Sequence, residues 1–279
     1  MPNNTNNNLN ESPLGKTSAY IDQYDNTLIF PIPREIKRQE IDVPMPLPFY
    51  GYDTWNAYEL SWLNEKGKPM VAIARFDISC QSKCIIESKS FKLYLNSFNN
   101  SKFSSIQEVQ EILKKDIGQA AQGDVRVQIF RLADVLNTPI QTFDGYVLDD
   151  LDIECDGFEV DPTLLEADNE NSVSESFVSH LLKSNCLVTG QPDWGSVHIA
   201  YTGPKINRES ILKYIVSFRN HNEFHEQCVE RLFMDISNYC QPECLTVSAR
   251  YTRRGGLDIN PTRSSSPIEF DDNIRMARQ

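Results

Sequence analysis

Ser90-Phe-Lys-Leu-Tyr-Leu-Asn-Ser-Phe98 and Ser210-Ile-Leu-Lys-Tyr-Ile-Val-Ser-Phe218 carry serine, tyrosine, serine and phenylalanine at the same places, 120 residues apart. Further along, Val109 falls on Val229, Ile112 and Leu113 fall on Leu232 and Phe233, and Val127 falls on Val247. Any one match is uninformative; a run of them in order predicts a duplicated unit. The elements repeat in the same order. Trp55–Leu63 and Met70–Ile78 are β-rich runs flanking a polar turn, which predicts a hairpin. Ile106–Gln119 has apolar residues at helical spacing, and Val125–Phe130 alternates as a strand does. In the second half Ser176–Leu182 and Ser196–Tyr201 read as strands around a turn at Gln191–Gly195, Arg208–Phe218 and Phe224–Tyr239 as helices, and Leu245–Tyr251 as a strand. The pattern predicts a β-β-α-α-β-β unit used twice, its register slipping only at hairpin turns. Strands and helices segregated in this way make an α+β fold with antiparallel sheets and helices on one face.

The segments outside the repeat are simpler. Residues 1–20 are polar and read as a frayed tail. Pro31, Pro33, Pro44, Pro46 and Pro48 make residues 31–48 an extended lead-in, not a helix. Residues 131–170 are an acidic, loop-rich connection. The expected organisation is a tail (1–20), a first domain (21–165) and a second (166–279).

A net charge of −12 and a pI near 4.8 disfavour binding to a nucleic-acid polymer, which needs clustered cations. No apolar run reaches the roughly 18–20 residues of a membrane span. The Asn-rich start, Met1–Glu11, lacks a basic region followed by an apolar one, so a cytoplasmic protein without membrane contact is expected. Seven cysteines, an odd number, point to free thiols. Cys80/Cys84 and Cys240/Cys244 are C-x₃-C pairs, which is not the usual zinc-knuckle spacing.

Chemistry concentrates in four places. Cys186 follows a strand among polar neighbours, with Lys183 near enough in sequence to favour a thiolate. Asp193 stands seven residues on, where it could fold back as a proton donor; a buried structural thiol and a turn aspartate are the plainer alternative. His225-Glu226 opens a helix whose buried face runs through Cys228, Val229, Leu232, Phe233 and Ile236, so the imidazole faces inward and Glu226 complements the helix dipole. Glu87 in Glu87-Ser-Lys-Ser90 suits paired N–H donors of a guanine-type base, or is a plain exposed loop carboxylate. Arg250, Arg253, Arg254, Gly255 and Gly256 form the densest positive corner of the chain and suit a phosphate. No G-x-G-x-x-G follows a strand, so a Rossmann site is not indicated.

Four stretches together, Glu87-Ser-Lys-Ser-Phe-Lys-Leu-Tyr-Leu-Asn-Ser97, Ser184-Asn-Cys-Leu-Val188 with Gln191-Pro-Asp-Trp-Gly195, His221-Asn-Glu-Phe-His-Glu-Gln-Cys228 and Arg250-Tyr-Thr-Arg-Arg-Gly-Gly256, resemble the NADPH-dependent 7-cyano-7-deazaguanine reductases, the nitrile reductases of queuosine biosynthesis. The resemblance runs from about Gly15 to the C-terminus. It implies two tandem tunnelling-fold (T-fold) domains and a homodimer. It also implies Cys186 as nucleophile and Asp193 as general acid, reducing a nitrile through a cysteine thioimidate. Glu87 and Glu226 would grip the deazapurine, with Ile86, Ser88 and His225 beside it. Ser88, Lys89, Arg254 and Gly255 would contact NADPH, and no metal is called for. Two rival readings are a zinc-dependent T-fold hydrolase of the GTP cyclohydrolase type, using Cys186, His225 and Cys228 as ligands, and a purine-binding protein without catalysis. Glu87 and Cys186 fall in different halves, so the site would lie at a domain or subunit interface.

Overall fold

The computed structural model describes residues 20–269 and 273–279; the tail expected over 1–20 lies, but for Tyr20, outside them. The described chain divides into two compact units. The first comprises residues 20–37, Asp53–Pro139 and Arg253–Asp258; the second comprises Arg38–Tyr52, Ile140–Thr252 and Ile259–Gln279.

In the first unit β1 (Pro31–Pro33) pairs antiparallel with β4 (Cys84–Ile86). A sheet runs in the order β5 (Val125–Phe130), β3 (Pro69–Ser79), β2 (Tyr50–Leu63, its first three residues belonging to the other unit). β3 and β5 are antiparallel, Phe76 standing opposite Val127. Between β1 and β2 the chain makes the helix α1 (Arg34–Glu40), where sequence predicts only extended chain. The helix occupies the one stretch free of proline: Pro33 precedes it and Pro44, Pro46 and Pro48 follow. Two longer helices, α2 (Ser88–Ser97) and α3 (Ile106–Ala121), complete the unit. Phe91 of α2 meets Trp55 of β2 and Phe76 of β3 edge-on, each at 5.0 Å, which fixes the helix to that face of the sheet.

The second unit has the strand order β11 (Leu257–Ser264, its first two residues belonging to the first unit), β10 (Cys244–Tyr251), β9 (Pro192–Ile206), β7 (Ala167–Ser179), β6 (Tyr146–Val147). All neighbours are antiparallel except β6, which lies parallel to β7. β8 (Lys183–Asn185) folds back on the start of β9. The turn expected at Gln191–Gly195 is therefore strand from Pro192 on; pairing with β8 on one side and β10 on the other overrides the local turn signal. A four-residue helix, α4 (Leu132–Val135), precedes this unit, and α5 (Arg208–Ser217) and α6 (His225–Cys240) lie within it.

The duplication is written in hydrogen bonds. Asp25 and Asp161 each cap a one-turn 3₁₀ helix, accepting from both N–H and hydroxyl of Thr27 and Thr163. Glu87 N–H donates to the Phe30 carbonyl as Asn207 N–H donates to that of Glu166, each at 2.9 Å. Ser90 and Ser210 accept from the N–H groups of Phe30 and Glu166. Tyr94 donates to Asp116 and Tyr214 to Asp235. The long helices both end on a left-handed glutamine, Gln122 (φ 50°) and Gln241 (φ 48°). Asp116/Asp235 and Gln122/Gln241 fall at an offset of 119, so the register slips between the two helices of each unit, not only at hairpin turns. Val109 thus corresponds to Cys228, not Val229; the helix starts, Ile106 and His225, show the same shift.

Candidate active site

Cys186 opens the loop of the β8–β9 hairpin. Ser184 stands opposite Asp193 in the ladder, and the loop is closed by its own backbone: Cys186 N–H donates to the Gln191 carbonyl at 2.8 Å, and Gly190 N–H to that of Cys186 at 3.0 Å. Asn185 stitches the hairpin to the segment before α6, donating to His221 and accepting from Glu223. The thiol is thus held at the edge of burial, 9% exposed, on a backbone bonded on both sides. Lys183 does not serve it as expected. Its ammonium is held by Asn185 Oδ1 and the Arg219 carbonyl, because alternation in β8 aims it toward that segment.

Asp193 is buried, and its Oδ2 lies 3.4 Å from His225 Nε2. His225 and Glu226 occupy the first turn of α6, both nearly buried. Phe224, the residue before the helix, has no capping side chain; at the start of α3, by contrast, Ser105 Oγ accepts from Glu108 N–H. The His225 ring lies flat on Tyr251, centroids 3.7 Å apart and planes within 3°. Sequence alternation along β10 marks Tyr251 as inward-facing, but nothing local says that a histidine would lie on it. Beneath the stack, the thiol of Cys228 shares a buried corner with Tyr251 and Ser184, and burial pushes that thiol well above its usual range.

The first unit holds the remaining candidates. Glu87 is completely buried, which removes the exposed-loop alternative. It caps α2: Oε1 accepts from Lys89 N–H and Oε2 from Ser90 N–H, both at 2.7 Å. Burial raises its pKa while those two bonds oppose the rise. The Ser88 hydroxyl also reaches this carboxylate; with about four acceptor positions in all, the carboxylate can cap the helix and still take a ligand N–H. Ile86 is buried in β4, and Ser88 and Lys89 are half-buried in the first turn of α2.

Arg254–Leu257 is a two-residue hairpin turn, with reciprocal backbone bonds of 2.8 and 3.1 Å and positive φ at both Gly255 (58°) and Gly256 (79°). A Cβ on Gly255 would lie 2.8 Å from Lys92 Nζ. Lys92, one helical turn beyond Ser88 and Lys89 in α2, is the side chain of that helix that reaches Gly255. Glu59 Oε2 pairs with Lys92 Nζ at 3.6 Å and lies against Gly256, so the corner carries a carboxylate beside its cations. Among the described residues no three His, Cys, Asp or Glu side chains cluster so as to hold a metal ion, and Cys186, His225 and Cys228 form no such set. Among the described residues no helix is long and apolar enough to cross a membrane.

A mixed α+β fold with a thiol on a closed loop and a buried carboxylate–imidazole pair nearby defines a candidate cysteine-dependent enzyme. Comparison narrows the class. Residues 20–129 match the family model described as "Nitrile reductase, 7-cyano-7-deazaguanine-reductase N-term", and residues 192–269 match "QueF-like protein". A protein of Cupriavidus necator named NADPH-dependent 7-cyano-7-deazaguanine reductase is 59% identical over 271 residues, 96% of this chain and 98% of that one. Proteins of the same name from Delftia acidovorans and Polaromonas naphthalenivorans are 56% and 58% identical with the same coverage. The chain belongs to the family of NADPH-dependent 7-cyano-7-deazaguanine reductases.

Proposed function

We propose that this protein reduces the nitrile of 7-cyano-7-deazaguanine to the primary amine of 7-aminomethyl-7-deazaguanine with NADPH, a step of queuosine biosynthesis. What carries the proposal is near-full-length identity of 59% to a reductase of that name, in a chain that builds Cys186 and Asp193 into one hairpin. The Cys186 thiolate adds to the nitrile carbon while the Asp193 carboxyl gives its proton to the nitrogen, leaving a thioimidate. That carbon is more electrophilic than the nitrile. After the first reduction the carbon–sulfur bond breaks, the thiolate departs and an imine remains, to be reduced to the amine. NADPH, when bound, supplies the two hydrides, one for each reduction. Glu87 and Glu226 accept N–H bonds from the base, with Ile86, Ser88 and His225 beside it. Ser88, Lys89, Arg254 and Gly255 hold the cofactor phosphates.

The proposed architecture is two tandem T-fold domains, the second beginning near residue 166, and the paired hydrogen bonds of the two repeats support it. A cytoplasmic homodimer that binds no nucleic-acid polymer completes the proposal, by family resemblance and acidic charge.

The test is consumption of NADPH by purified protein given the nitrile. Two NADPH per nitrile, with none used by Cys186→Ala, is the expected result. A folded wild-type protein that binds the base and leaves NADPH untouched would sink the reductase in favour of a binding protein.

A further inference from the structure

Tyr251 stacks on His225, lies within electrostatic reach of Asp193, and has no role in the scheme above. It stands opposite Gly195 in the β9–β10 ladder, two residues from Asp193 on the same strand. A Cβ at Gly195 would lie 3.2 Å from its ring, so glycine there leaves the space that the tyrosine fills. Its backbone is pinned on both sides: its N–H donates to Asn260 Oδ1, its carbonyl accepts from Gln279 Nε2, and those two side chains are themselves bonded at 2.8 Å. The ring is wholly buried and its face is covered by His225 at 3.7 Å. A ring held on so many sides is a fixed surface. On it, His225 keeps Nε2 at Asp193, and its Nδ1 is buried with no protein partner. Native structures rarely leave a buried imidazole nitrogen unsatisfied unless something else is to meet it.

We propose that Tyr251 is a positioning residue of the reaction: it is the floor that holds the His225 ring edge-on, with Nε2 toward Asp193 and Nδ1 left for a polar atom of the nitrile-bearing base. The inference rests on the function proposed above and deepens it. The stacked face is what matters, not the hydroxyl, which finds no well-formed hydrogen bond.

The experiment compares Tyr251→Phe, which keeps the flat face, with Tyr251→Leu, which does not. Steady-state kinetics give kcat and KM for the nitrile, and calorimetry with 7-cyano-7-deazaguanine on the Cys186→Ala protein gives non-covalent affinity. Tyr251→Phe should stay within about threefold of wild type, while Tyr251→Leu should lose about tenfold in affinity and about 10²-fold in kcat/KM, the scale of misplacing a reacting group. In a His225→Ala background the leucine should add little further loss. If Tyr251→Leu melts well below the assay temperature, Tyr251→Met replaces it, keeping volume without a face. The inference is overturned if the folded leucine or methionine variant is as active as wild type, or if its loss is the same with and without His225. Failure of the underlying function is seen separately, as wild-type protein that consumes no NADPH.

Discussion

The first helix of each repeat begins on the same backbone but with different chemistry. Glu87 (φ −67°, ψ 128°) and Asn207 (φ −68°, ψ 125°) both cap by accepting the N–H groups two and three residues on. Asparagine does this with one oxygen, at 2.9 and 3.2 Å; glutamate uses both, at 2.7 Å each, and brings a buried carboxyl with it. Helix capping alone does not require the glutamate, since the other repeat manages without one. The difference runs the other way between the long strands. β2 and β3 are joined by the short turn 64–68, whereas β7 and β9 are joined by a segment that contains β8 and Cys186. One repeat has kept the carboxylate and lacks the thiol hairpin; the other has the hairpin and only an amide at the cap. A duplicated unit is free to specialise at positions where the fold accepts more than one residue, and these are two such positions.

The largest effect expected from breaking this asymmetry is at the hairpin. Cys186→Ala should lower nitrile reduction by at least about 10³-fold with little change in melting temperature, because no other thiol can take its place in covalent catalysis. Next is Glu87→Asn, which makes the first repeat's cap like the second's. It should fold and melt within about 1 kcal/mol of wild type, the range of one capping change, yet lose about 10²-fold in kcat/KM, the usual cost of losing a charged contact to a bound group. If E87N kept full activity, Glu87 would be a cap and nothing more.

A smaller difference lies under the helices. Asp116 accepts from both Tyr24 and Tyr94 at 2.7 Å, whereas Asp235 accepts from Tyr214. Asp116→Ala, which removes two accepted hydrogen bonds, should therefore destabilise by about 1 kcal/mol more than Asp235→Ala, at roughly 1 kcal/mol per hydrogen bond, as read by urea unfolding. Smallest is a difference in sign. Burial raises the Glu87 pKa above its usual 4.5. Burial also presses Glu223 upward, but hydrogen bonds from His221 and Arg231 outweigh it and hold that carboxyl below 4.5. A raised carboxyl contributes stability that is full below the unfolded value and is lost as pH rises through the folded one; a lowered carboxyl contributes stability present above the unfolded value and lost as pH falls. Relative to wild type, Glu87→Gln should gain stability as pH rises from about 4 to 7 and Glu223→Gln should lose it, in paired melting series. Parallel curves would refute the opposite environments.

Much of the repeat was legible because its markers are local. Serine and tyrosine recurring at fixed spacing, apolar residues at helical period and alternating strands all act within a few residues. The helix at Arg34–Glu40 was hidden by the prolines on either side, although those same prolines delimit it. The turn that the sequence indicates at Gln191–Gly195 gives way to strand from Pro192 on because two partner strands, one of them just three residues long, decide its conformation. Cys186, Asp193, His225 and Glu226 were legible as chemistry, and the structure gathers them in one unit. The stack of His225 on Tyr251 was not, because residues far apart in sequence meet only after a sheet and a helix have packed. For Glu87 the sequence offers a base-gripping or an exposed loop carboxylate but not a helix cap, because capping depends on where a helix starts and the helical signal before Phe91 is weak.

The cap at Glu87 also bears on speed and entropy. A free glutamate explores many rotamers, and restricting one costs on the order of 1.5–2 kcal/mol. Here both oxygens are tied to the start of α2, so that restriction is completed when the chain folds, long before any ligand arrives. Whatever Glu87 receives meets a carboxylate already aimed, with no search over side-chain conformations during the encounter, and its departure leaves the group aimed for the next.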